Sequence, residues 1–172
     1  MPGSPRGASP LDSLTRWRLL KDVEAARGVL RPEEAPAVGL LRLCDAGLLE
    51  GGLAVAWGVR PDELVGALTH LMGGAARRFK VVDVRERPVL RLDILSGAVS
   101  GSWEVEDVAA LVHHLNALYR EAADVRAVAV LGEWNDALQL LCVDKRALPG
   151  LLRERLLEPS NRQALETPAA RR

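Results

Sequence analysis

The feature that most constrains this chain is a change of hydrophobic period at the glycine pair Gly73-Gly74. Before it, apolar residues recur at the three-to-four spacing of helices; after it, they alternate as strands require. In residues 89–95, Leu90, Leu92 and Ile94 face one way while Arg91 and Asp93 face the other, the pattern of a sheet with one wetter face. A chain that changes period once belongs to the α+β class, with helices first and an antiparallel sheet after.

The helical half begins at Ser9-Pro10-Leu11-Asp12, which supplies a capping hydroxyl, a proline for the first helical position and an acid in the first turn. Leu19, Val23, Ala26 and Leu30 continue at helical spacing. Residues 31–36 interrupt them, and a second helix carries Ala37, Leu40, Leu41, Cys44 and Leu48 on one face. A short helix over residues 53–57 and another from Pro61 to about Met72 are expected next.

Past the glycines, strands are expected over residues 79–84 and 89–95, and a Ser/Gly loop over 96–102 leads into an amphipathic helix. Its stripe is Val105, Val108, Leu111, Val112, Leu115, Leu118, Tyr119 and Ala122. Strands over 126–131 and 138–143 and a closing helix over 149–157 complete a repeated hairpin-plus-helix pattern, with two helices covering the sheet. The expected division is a disordered tail at 1–10, a helical domain at 11–74, an α+β domain at 75–158 and a second disordered tail at 159–172.

The segment from Leu53 to Leu64, with Gly58 at its centre and Ala67, Leu68 and Leu71 beyond, resembles the helix-turn-helix superfamily in its winged form. The resemblance implies that Ala54 lets two helices approach, that Gly58 makes the turn, and that Trp57, Val59, Leu64 and Leu68 pack between the helices. It also implies that Arg60, Asp62, Glu63, Val65, Gly66 and Thr69 face a partner, with Arg77, Arg78 and Lys80 where a wing begins. Two acids beside one arginine, with no Asn, Gln or Lys to read base edges, argue against sequence-specific DNA binding. Charge agrees: 11 basic and 9 acidic residues up to position 80, against 12 and 14 beyond it, create no field that steers the chain to nucleic acid.

Catalytic chemistry finds no support. His113 and His114 are neighbours on a helix and diverge by about 100°, too far apart in direction to share one ion with Glu104, Glu106 or Asp107. The 96–102 loop lacks the Gly-Lys-Ser/Thr ending of a phosphate-binding loop, and Cys44 and Cys142 both fall in apolar segments. No cofactor and no metal are expected. Two well-separated cysteines point to a reducing, cytoplasmic setting, and no apolar run is long enough to span a membrane. Heavy use of Arg and Ala with little Lys fits a GC-rich bacterial genome.

The sequence therefore describes a small non-catalytic interaction, adaptor or regulatory protein. Its partner is another protein or a second copy of itself, met through Arg60, Val65, Thr69, Arg77, Arg78, Trp103 and Trp134, the two tryptophans as exposed aromatic anchors. The alternative is a winged-helix transcription regulator whose second half dimerises or senses a ligand.

Overall fold

The computed structural model describes residues 9–164; the terminal segments 1–8 and 165–172 lie outside the described residues, and with them most of both expected tails. Helix α1 (Pro10–Arg16) starts as its sequence dictates, with the Ser9 hydroxyl accepting from the Asp12 N–H at 3.2 Å and proline in the first turn. Helices α2 (Val23–Val29) and α3 (Pro36–Asp45) follow, separated by residues 30–35.

Residues 53–57 do not form the expected helix. Gly52–Ala56 is strand β1, so the first helix that a helix-turn-helix would need is absent. In so short a run Leu53, Val55 and Trp57 alternate as readily as they follow a helical face, and pairing with a distant strand decides between the two. Helix α4 (Pro61–Met72) comes next, then a 3-10 turn (Gly74–Arg78) and a three-stranded meander, β2 (Phe79–Arg85), β3 (Arg91–Ser96) and β4 (Val99–Glu104). The expected Ser/Gly loop is thus a tight turn at Gly97-Ala98 plus a strand. Gly97 sits at φ +61°, as the first central position of a type II′ turn requires.

Helix α5 (Val108–Leu118) leads to a second hairpin, β5 (Ala127–Trp134) and β6 (Ala137–Val143), then to α6 (Leu148–Arg153). Asn135 and Asp136, at φ 53° and 58°, turn that hairpin in two residues. The segment Pro159–Ala164, expected within a disordered tail, is a second 3-10 turn with Asn161 buried.

The strands form two antiparallel sheets, β1-β6-β5 and β2-β3-β4. In the first, Leu53 pairs with Leu140 and Val128 with Cys142, making β6 the central strand. One face of this sheet, through Val55, Val128, Leu140 and Cys142, shares a core with α4, α5 and the inner residues of the meander. The other face, through Ala129, Leu131, Leu141 and Val143, packs under the N-terminal helices and α6. A strand covered on both sides reads as an unbroken apolar run, which explains Leu140 to Val143. Helix α4 ends at Gly73-Gly74 and strands follow the 3-10 turn, but β1 lies before the glycines, so the expected order of helices first and sheet after holds only in part. Each core draws residues from both sides of the pair.

The outer edge of β5 is closed by side-chain amides. Asn116 of α5 donates to the Val128 carbonyl at 2.9 Å and accepts from its N–H at 2.8 Å. Asn161 does the same for Val130 at 2.9 and 2.7 Å, and the Arg126 N–H donates to the Met72 carbonyl at 3.0 Å. Each amide stands in for a neighbouring strand. Replacing Asn116 with Ala strands both backbone groups of fully buried Val128. A loss of about 2–4 kcal/mol in urea unfolding is expected, against a smaller loss for Asn161→Ala; a change under about 0.5 kcal/mol for Asn116→Ala would contradict the clamp.

Candidate interaction surface

The residues expected to meet a partner are scattered. Val65 and Thr69 are 1% and 4% exposed and belong to the interior of α4, where the Thr69 hydroxyl donates to the Val65 carbonyl at 2.7 Å. They face inward because α4 packs against strands of both sheets and buries Leu64, Val65, Leu68, Thr69 and Met72 as one continuous stripe. Arg60 is exposed at the start of α4 and pairs with Asp62 at 3.1 Å, an ion pair that holds the Asp62 carboxyl below its usual range. Arg77 and Arg78 are exposed beyond the opposite end of that helix, about 18 Å along its axis from Arg60.

The tryptophans also differ from expectation. Trp57, assigned to a helix-turn-helix core, is 59% exposed in the turn after β1. Trp103 and Trp134, read as exposed anchors, are half-buried. Trp134 lies under the Arg42 guanidinium, 4.8 Å from the ring centre, while Arg42 forms a two-pronged pair with Glu34. Trp103 stacks on His114 with ring centres 5.1 Å apart and 14° between planes, and leans on Phe79 at 5.6 Å.

The two thiols, one ammonium and one imidazole are committed to the fold. Burial raises the Cys44 thiol to about 11 and the Cys142 thiol to about 12. The Lys145 ammonium, which desolvation makes easier to deprotonate, donates to the Tyr119, Arg120 and Ala122 carbonyls at 2.5, 3.2 and 2.5 Å and so closes the C-terminal end of α5. His113 and His114 are 6.3 Å apart between ring centres, with His114 Nε2 donating to the Glu104 carbonyl at 3.2 Å. Among the described residues no three His, Cys, Asp or Glu side chains gather as a metal-holding group, and no helix is long and apolar enough to cross a membrane.

What the sequence reading missed is the outer edge of β4. The hairpin register pairs Ser96 with Val99 and Leu92 with Trp103, and the Val105 N–H donates to the Leu90 carbonyl at 2.9 Å. With that parity, the backbone groups of Ser100, Ser102 and Glu104 point away from β3. The Glu104 carbonyl is met by His114; among the described residues, no backbone bond joins Ser100 or Ser102 to anything beyond β3.

The other edges are guarded to different degrees, β5 and β2 most and β1 only at its ends. In β2 the register slips at Val82, between Val81 and Asp83, and Lys80, Asp83 and Arg85 flank it with charge. In β1 the Gly52 N–H donates to the Leu49 carbonyl and the Ala56 carbonyl accepts from the Val59 N–H, each at 3.2 Å, so turns close the two ends and leave a short outward stretch from the Gly52 carbonyl through Ala54 to the Ala56 N–H. From Val99 to Trp103, β4 carries neither charge nor bulge, and Val99 is 53% exposed. The signal in the sequence was the spacing of Val99, Gly101 and Trp103 after a Gly-containing turn, masked by serines and glycine.

Comparison with protein-family models, with curated proteins and with solved structures found no match for this chain.

The thiols give a direct check on burial. Because the folded values lie above the ordinary thiol value of 9.0, their stabilising effect is complete below about pH 9 and is lost as pH rises toward the folded values. At pH 8, Ellman's reagent is expected to label neither cysteine in the native protein and both after unfolding in guanidinium. Rapid labelling of either one without denaturant would contradict the packing.

Proposed function

We propose that this protein is a non-catalytic interaction module that binds another polypeptide by strand addition at the outer edge of β4. The observation that carries the reading is the contrast between edges: β5 is closed by Asn116 and Asn161, whereas Ser100 and Ser102 of β4 present backbone donors and acceptors to solvent. An incoming extended segment gains ladder hydrogen bonds there, and alternate side chains along the strand supply specificity. On the inner row these are Val99 and Trp103, with Gly101 leaving room between them. On the outer row Ser102 donates to Asp93 at 2.7 Å, and Leu95 lies beside Ser100, exposed.

Chemistry as well as shape supports the adaptor reading. The buried thiols of Cys44 and Cys142 are held in the neutral form by burial, and the half-buried Lys145 is occupied as a helix cap. A readily paired edge costs a protein solubility, and the guarding of β2 and β5 makes an unguarded β4 a feature with a use.

Proline tests the reading cleanly. The Ser100 and Ser102 N–H groups take no part in the ladder with β3, so Ser100→Pro and Ser102→Pro remove an outward donor and block approach while sparing the sheet. Immobilised wild type is expected to retain polypeptides from the native cell lysate that each proline variant, with unchanged circular dichroism, retains at least about tenfold less well. Equal retention by wild type and both variants would reject the proposal.

A further inference from the structure

Resting on the reading of β4 as a docking edge, we infer that the strand it accepts is β4 of a second copy of this chain. The pairing is antiparallel about a two-fold axis at Gly101, and two meanders join into one continuous sheet. The parity of the edge dictates this register. With the outward groups on Ser100 and Ser102, a two-fold through Gly101 lets each Ser100 exchange both ladder bonds with Ser102 of the second copy, so every free group on this stretch finds a mate.

Side chains agree with the same register. Val99, the exposed valine of β4, lands opposite Trp103 of the second copy, an aromatic against a β-branched residue, which is a favourable cross-strand pair. At the axis, where a non-hydrogen-bonded pair brings backbones within about 4.5 Å, each copy contributes only a glycine. Glu104, the one charge on the strand, falls opposite Ala98 of the second copy, so no like charges face each other. Nor do the molecules repel at a distance, since 23 basic and 23 acidic residues cancel. His114 already occupies the Glu104 carbonyl and limits the shared ladder to the central residues. One short strand pair falls below the roughly 1,200 Å² of a standard interface, the size of weak, transient association.

A crosslink reads the register. A Cβ at Gly101 meets Ile94 Cγ1 at 3.7 Å, an ordinary contact, so Gly101→Cys is accommodated, and the native cysteines are buried. Its sulfur lies across the axis from its counterpart at a spacing suited to a disulfide. In Glu104→Cys the counterparts are about 20 Å apart. Expected are a monomer–dimer equilibrium for the wild type by light scattering between about 1 and about 100 µM, and oxidised-glutathione crosslinking of Gly101→Cys well ahead of Glu104→Cys. Ser100→Pro is expected to be monomeric and, added to Gly101→Cys, to abolish the crosslink. A wild type that stays monomeric, a dimer that survives Ser100→Pro, or equal crosslinking at 101 and 104 would each overturn the inference. If the wild type is monomeric yet Ser100→Pro still loses a retained polypeptide, the edge takes a different chain and strand addition stands; if Ser100→Pro loses nothing, both readings fall.

Discussion

The fold depends on β6 having a partner on each side. A central strand buried on both faces has no water to satisfy its backbone, so both flanking strands are obligatory. One is its hairpin neighbour β5; the other, β1, comes from residues more than eighty positions earlier in the chain. Gly51 makes that long-range junction possible. At φ +77° its carbonyl accepts the Cys142 N–H at 2.8 Å, and a Cβ there would press within 2.3 Å of the Cys142 carbonyl oxygen. Once β1 is seated, α4 is carried onto one face of the sheet and α3 onto the other, and the two cores form on either side of a shared layer.

A sheet assembled in this way ends in edges, and the protein treats them unequally. Two buried asparagines are expensive to desolvate unless all their hydrogen bonds are made, and Asn116 makes its bonds to Val128 with both ends of the amide. That commitment of polar groups to β5 gives meaning to the lack, among the described residues, of any such device along Ser100 to Ser102. The nearest candidate, His114, stops at Glu104, where it also stacks on Trp103 and fixes the far end of the strand.

The sequence carried the parts of this fold that are local. The Ser9-Pro10 start of α1, the β2–β3 and β5–β6 hairpins and the amphipathic α5 are set by caps, turn residues and period within a few residues of themselves. The α+β class followed from them. What escaped was non-local: Leu53 to Ala56 became strand because β6 offers them hydrogen bonds, and with no helix at those residues to take the inner face of α4, Val65 and Thr69 lie on the stripe that α4 turns to the sheets. The misreading of Trp57 follows from the first of these. The β4 edge was hidden for another reason, since Ser100, Gly101 and Ser102 have the composition of a loop and become a strand only through β3.

The most direct measurement is residue-resolved amide hydrogen exchange at two protein concentrations. The Val128 and Val130 amides, held by Asn116 and Asn161, are predicted to be protected at both. The Ser100 and Ser102 amides are predicted to exchange rapidly in dilute protein and to slow markedly in concentrated protein, while Ala54 and Lys80 do not change. Strong protection of Ser100 and Ser102 in the dilute monomer, or exchange there that is indifferent to concentration and to added lysate, would contradict an open docking edge.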